Sequence, residues 1–592
     1  MEQKRLFLAI AISLAILLGF QTLYRRFAPP PQNHPTASES AATGNAAVPA
    51  APPKPSNTIG VTPSDAGAAP VGPTRPVPRL KILAAQVEGS LSLIGARLDD
   101  LVLRDYHETI QPNSPLVRLL EPRSDPQPYY VQFGWSEAPG QGSTPAKLPG
   151  SDTLWTASAP SLGPAEPVTL TWNNGAGLTF AIVLSVDDHY MFRVQQQVTN
   201  ATGAAVALFP WARIRRDYTP KTAGYYILHE GLIGVLDGRL QELTYAKTRS
   251  EGGKHEGVAY DSTGSGGWAG ITDKYWLTAL IPNQAMDSTA SFRAVKEPAG
   301  DAYQVDFVTH DPETIAPGAT ASLNSRLFAG AKVVSLLDRY EAEYHIPHFD
   351  KAVDFGWFYF LTKPIFLCLD WLYHLLGNFG LAILVFTMLV KALFFPLANK
   401  SYKSMGKMRL LGPKMQAMRE RLKDDPAKMQ QEMMAIYKAE GVNPVSGCLP
   451  MLIQVPVFFS LYKVIFVTIE MRQAPFFGWI HDLSAVDPTN VFNLFGLLPF
   501  DPTAISPWLQ LGAWPLIMGF TMFFQQRLNP PPPDPTQAKL FQFMPVIFTF
   551  MLARFPAGLV IYWSWNNLLS VAQQWLIMRN TRLERRPKMA RT

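Results

Sequence analysis

Cysteine is almost missing from this chain. Cys368 and Cys448 are the two present in 592 residues. An apolar run long enough to cross a membrane separates them, which argues against a disulfide framework, and no CxxC or His/Cys spacing offers a metal site. Acidic residues are missing from the long apolar runs after residue 378, so the carboxylate relay of a proton-coupled pump is not there. GxxxxGK[ST], HExxH and GxSxG are absent as well. Neither nucleotide hydrolysis nor peptide-bond cleavage is expected, and no enzymatic activity, cofactor or metal is assigned.

Long apolar runs are what the chain does have. Leu6–Tyr24 is long enough to span, with Lys4 and Arg5 before it and Arg25, Arg26 and Phe27 after it. A cleaved signal peptide is the rival reading. The run exceeds a usual signal core and no small-x-small site follows, so residues 1–26 are read as an uncleaved membrane anchor. Residues 27–78 are rich in Pro, Ala, Gly and Ser and form a linker too poor in large apolar groups to offset its ordering entropy.

Residues 79–338 carry strand signals. Phe192, Val194, Gln196 and Val198 alternate on one face of Tyr190–Val198, and Leu178–Val186 follows the Asn173-Asn174-Gly175 turn signal. Many short strands with polar turns predict a β-sandwich of roughly 250 residues. The groups His107/Glu108 and Asp187/Asp188/His189 fall in turns without convergent partners and are read as loop residues. Residues 339–378 contain the aromatic stretch Phe355–His374, interrupted by Lys363 and Asp370, which predicts an interfacial amphipathic helix.

Five further spans are expected in 379–578, at about 379–397, 447–469, 510–526, 540–555 and 558–577. The loops orient them. Residues 398–443 hold ten Lys/Arg against five Asp/Glu, and 579–592 hold six against one. Residues 470–509 hold one against four, and 27–378 hold 26 against 34. Basic loops stay cytoplasmic, so six spans put both termini inside and the β domain outside.

Residues 399–440 read as a helical hairpin broken at Asp424-Asp425-Pro426, with methionines at 405, 408, 415, 418, 429, 433 and 434. Those methionines suit either packing of the two arms or adaptable contacts with partners. The basic arms and tail suit lipid headgroups or ribosomal RNA.

One charge stands inside a membrane-grade run. Lys391 follows Thr387 by one helical turn in GLAILVFTMLVKALFFP. A charge at the centre of a spanning helix costs about 2.5–3.5 kcal/mol, so it needs a polar or wet surround. It lies about six residues from the cytoplasmic end, roughly 9 Å at helical rise, so snorkelling is the alternative. Lys463 is read as a snorkelling lysine near the outer end of its span. Gln454 and Ser460 sit in the third span, and Tyr562, Asn566 and Gln573 share a face of the last, beside Trp563, Asn567 and Gln574. Such groups either hydrogen-bond between helices or line a shared cavity.

The run SYKSMGKMRLLGPKMQAMRERLKDDPAKMQQEMMAIYKAEGVNPVSGCLPMLIQVPVFFSLYKVIF, with RQAPFFGWIHDLSAVDP, FMPVIFTF, FPAGLVIYW and NNLLSVAQQ, closely resembles the YidC family of bacterial membrane protein insertases. GARLDDLVLRDY, GGWAGITDKYW and NSRLFAGAK in the outer domain resemble its Gram-negative members. The resemblance implies a polytopic α-helical inner-membrane protein with six spans, five of them an insertase core, plus a large periplasmic β-sandwich. It implies insertion and chaperoning of nascent membrane proteins, alone or beside the Sec translocon, through a hydrophilic groove open to cytosol and lipid. It places Lys391, Thr387, Gln454, Tyr562, Trp563 and Asn566 at that groove. The family's usual groove cation is Arg, and Lys keeps its charge without its bidentate fork. The tail, with Arg579, Arg582, Arg585, Arg586 and Lys588, matches a ribosome-contacting extension. The alternative is a secondary transporter or channel with an extracellular β domain, but neither inverted repeats nor matched broken helices are found.

Overall fold

The computed structural model describes residues 77–138, 146–224, 228–298, 300–422, 425–441, 449–528 and 535–584. The expected anchor, nearly all of the linker, Cys448, and the tail residues Arg585, Arg586 and Lys588 lie outside them.

Period-two burial builds the first half. Leu178–Val186 alternates buried and half-buried residues along its whole length, as a strand over a core does. It pairs antiparallel with Met191–Asn200 across the Asp187 turn. Gln196, on the apolar face of that second strand, is buried, and its amide donates to the Gly134 carbonyl at 2.8 Å. A buried amide is tolerated there because it is satisfied by the facing sheet.

Two large sheets result. One has nine strands, centred on Trp276–Ile281, Thr320–Ala331 and Met191–Asn200. The other has eleven, centred on Val206–Arg216, Tyr129–Glu137 and Arg97–His107. Their inner faces share one core that includes Phe180, Phe192, Val131, Ile214 and Phe328. The expected sandwich is present, with a short helix, α1 (Tyr245–Gly252), at its edge. Asp187 holds its turn by accepting from the His189 and Met191 N–H groups. His107 contributes its carbonyl, not its ring, to the neighbouring helical part.

Helix α2 (Val334–Tyr344) crosses the 338/339 boundary drawn from sequence. Its Leu336, Leu337 and Tyr340 are buried, so the last strand and this helix fold as one unit. Helix α3 (Tyr359–Leu376) is amphipathic: Ile365, Phe366, Leu369 and Leu372 are buried, while Phe360, Leu367, Trp371 and Leu375 are exposed. Helices α4 (Phe379–Leu393), α5 (Phe395–Arg421), α6 (Pro426–Ala439), α7 (Leu449–Val467), α8 (Ala513–Leu528), α9 (Pro535–Leu552) and α10 (Ala557–Glu584) follow. Among the described residues no single helix is long and apolar enough to cross a membrane, but α4 with the first part of α5, bent by 67°, passes as a pair.

The hairpin forms where Asp425 accepts from the Lys428 N–H and Pro426 opens α6. Its arms close on Leu411, Met415 and Met418 against Met429, Met433 and Ile436. Met415, Met418, Met429 and Met433 therefore pack the arms together, while Met405 packs with Ile577 of α10 and Met434 is exposed.

Ion pairs fasten the β domain to the helices. Lys463 does not snorkel: its Nζ lies 2.8 Å from Asp354 Oδ2 and donates to the Asp354 carbonyl, while the same carboxylate accepts from the His229 N–H. Burial holds the His229 imidazole down at about 4, so it is neutral. Lys363 pairs with Asp338 and Asp350 at 2.8 and 2.7 Å. Glu470, just past the end of α7, accepts from the Val334 N–H at the start of α2, a favourable place for a carboxylate.

Candidate substrate groove

The groove is made at an elbow. Asn378 starts α4 by accepting from the Leu381 N–H, and Tyr373 stacks on Phe379 at 3.9 Å. The helix stops at Phe394 and α5 restarts at Phe395-Pro396. Pro396 supplies no N–H for the Ala392 carbonyl and its ring crowds that group, whereas it is at home in the first turn of a new helix, so the axis breaks here. The expected span 379–397 is thus bent near its end, and Lys391 stands on the last turn before the bend.

Lys391 is half-buried and lines a cavity of about 50 Å³ with Phe394, Tyr402, Gln454, Val457 and Gln573. That volume is room for a few waters. Its Nζ donates to Ser570 Oγ at 2.8 Å, and Ser570 Oγ donates to the Asn566 carbonyl at 2.7 Å. Gln454 donates to the Tyr562 hydroxyl at 2.5 Å, tying α7 to α10 beside the cavity.

The six residues expected at the groove therefore divide. Lys391, Gln454 and Tyr562 come together. Thr387 is buried, and its hydroxyl donates to the Ile383 carbonyl at 2.6 Å, so it gives Lys391 no polar company. A helical threonine's own back-bond outcompetes a neighbour one turn away. Trp563 packs edge-on against Phe458 at 4.6 Å and beside Phe548, which makes it a wall between helices. Asn566 is buried, and its carbonyl accepts from the Ser570 hydroxyl that holds Lys391.

Sequence reading missed Ser570 and Tyr402. Ser570 continues the 562/566 row by one more turn, the signal that was available. Asn567 and Gln574 point the other way, bonding Thr521 and the Leu528 carbonyl on α8. The last helix thus carries two polar faces.

Toward the β domain the helices carry buried apolar side chains. Phe386, Leu461, Ile465 and Leu559 are buried on the α4, α7 and α10 segments leading that way. Among the described residues Glu341, His348 and Asp350 bring ligand-type atoms within 4.8 Å of one another. The Lys363 ammonium already neutralises Asp350, which argues against a cation.

A small polar cavity holding one ammonium is suited to attracting an acidic group. Two family models match the chain: the YidC periplasmic domain matches residues 79–368, and the 60Kd inner membrane protein matches 371–585. A protein of Granulibacter bethesdensis named Membrane protein insertase YidC is 64% identical over 100% of both chains. The chain belongs to the YidC membrane protein insertase family. A YidC of Acidiphilium cryptum is 59% identical over 85% of each chain. A solved YidC insertase, described as an active form with its first transmembrane domain resolved, matches at 18% identity over 84% of this chain and 92% of that one, with a TM-score of 0.34. The family assignment rests on the sequence relatives and the two family models. The β domain is accordingly the family's periplasmic domain, and the helical part its inner-membrane portion.

Proposed function

We propose that this insertase lowers the barrier to membrane insertion with the Lys391 cavity. Desolvation of a polar segment is the barrier, and a wet cavity half-way into the bilayer shortens the path over which that segment leaves water. The ammonium attracts acidic residues of the segment being translocated, an attraction that strengthens in low dielectric. Burial of the apolar substrate helix in lipid then drives net transfer without a motor.

The observation that carries this reading is Lys391 at the α4–α5 elbow, in one cavity with Gln454 and Gln573. The topology that goes with it has six spans, both termini cytoplasmic and the hairpin α5–α6 in the cytosol, as the loop charges favour. The hairpin receives nascent membrane proteins, the basic tail contacts the ribosome, and the chain works alone or beside the Sec translocon as insertase and chaperone. Lipid headgroups meet the basic arms.

The test is site-specific photocrosslinking to a stalled nascent chain in native membranes. Probes replacing Gln454 and Gln573 are expected to capture the chain, while a probe at Asn567, on the opposite face, is not. Capture equal at all three positions rejects the cavity as the path.

A further inference from the structure

The segment 491–509 lies between α7 and α8, within the stretch 470–509 whose charge balance predicts an outer loop. Its surface is not that of a loop in water. Leu494 and Phe495 are each 53% exposed, Leu497 82%, Ile505 74% and Trp508 66%. Asp501 is its one charged residue; that carboxylate is exposed and caps a short helix, Pro502–Ile505, by accepting from the Thr503 N–H. An apolar surface of this kind marks an interaction site.

Its backbone is tied up internally. Asn490 donates to the Leu509 carbonyl and Val491 to Leu511, closing the base. Asn493 accepts from the Gly496 N–H and donates to the Phe500 carbonyl, while Leu498 donates to the Asn493 carbonyl. Leu494 and Phe495 take left-handed φ of 52° and 59°, a conformation that costs on the order of 1–3 kcal/mol per residue. It leaves both side chains outward. Backbone satisfied within the segment, with apolar side chains outside it, is what hydrocarbon demands and water does not.

The base is rigid and joined to the helices. Asp487 is buried and accepts from Trp479, Thr489 and the Trp514 N–H at the start of α8. A Cβ on Gly512 would strike its carboxylate. Arg554 lies over the Trp508 ring at 4.3 Å, a cation at the polar rim. The exposed apolar surface continues onto α8 through Ile517, Phe520 and Phe524.

We propose that 491–509 is a lipid-immersed wedge seated in the leaflet on the β-domain side, with Leu497 and Ile505 deepest. This rests on the reading of α7 and α8 as membrane spans. The occupant is the bilayer because the apolar surface is continuous with that of α8 and its single charge, the exposed Asp501, is too little to select a protein partner.

The experiment uses the full chain with Cys368→Ser and Cys448→Ser, reconstituted into phosphatidylcholine/phosphatidylglycerol vesicles. A fluorophore is placed singly at Leu497→Cys, Ile505→Cys, Phe520→Cys and Lys254→Cys. Bromolipids are expected to quench the 497, 505 and 520 probes, and aqueous iodide to quench 497 and 505 roughly tenfold less than 254, as interfacial burial does. Lipid quenching at 520 with iodide quenching at 497 and 505 overturns the wedge and leaves the spans intact. No lipid quenching at 520 removes the spans and the wedge together. Iodide protection at 497 that grows with protein-to-lipid ratio, or appears only with a nascent chain, assigns the surface to a second copy or to substrate and also overturns it.

Discussion

Lys391 Nζ and Ser570 Oγ are 2.8 Å apart, on helices far separated in sequence, and this bond fixes where the cavity's ammonium points. Ser570→Ala removes the acceptor but keeps the charge. A hydrogen bond to a charged group contributes about 1.5–3 kcal/mol, part of which the cavity water replaces. Insertion of a substrate with an acidic outer segment is expected to slow severalfold, with neutral substrates unaffected, in a protease-protection assay.

Gln454 and Tyr562 form a second pair across α7 and α10. Tyr562→Phe leaves the Gln454 amide short of a partner, at a cost of about 1–3 kcal/mol. The double variant Gln454→Leu/Tyr562→Phe is expected to recover part of that loss. Thermal unfolding in detergent across the four-member cycle reads the coupling.

The junction with the β domain depends on Lys463 and Asp354, whose side chains are 15% and 17% exposed. Lys463→Met strands the carboxylate, which still accepts from His229. Limited proteolysis within 345–358 is expected to speed up about tenfold, as the loss of roughly 1–2 kcal/mol of local stability implies. Lys463→Arg is expected to restore most of it.

Glu470 gives a pH dependence. Burial pushes its carboxyl up to about 7 from an ordinary 4.5. The folded chain therefore binds the proton more tightly than the unfolded one, and this contribution is full below pH 4.5 and lost as pH rises through 7. Glu470→Gln keeps an acceptor for the Val334 N–H and removes the titration. The wild type minus variant stability difference is expected to shift against the wild type by about 3 kcal/mol between pH 4.5 and 8. A difference flat across that range contradicts the assignment.

Local signals were legible where chain neighbours decide structure. Asp425-Pro426 announced the hairpin, and Leu178–Val186 announced its strand. The polar row through Tyr562 also pointed to the cavity. What was hidden depends on partners distant in sequence. Lys463 is sequestered by Asp354, 109 residues away, and nothing local marks that pairing. Thr387 shares a helix face with Lys391, but its hydroxyl is taken up by the Ile383 carbonyl, a bond that the spacing alone does not reveal. The elbow was written in Phe394-Phe395-Pro396, but the apolar run around it masked the break.

The charge series at Lys391 tests the groove most directly. Full-length variants Lys391→Arg, Lys391→Ala and Lys391→Glu are expressed in insertase-depleted membranes, and insertion is scored for one substrate with an acidic outer segment and for its neutralised version. Arg is expected to match the wild type, Ala to slow the acidic substrate by about tenfold, in line with losing about 1.4 kcal/mol of attraction, and Glu to slow it further. The neutral substrate is expected to respond little. Normal insertion of the acidic substrate by the Glu variant contradicts charge attraction as the groove's role.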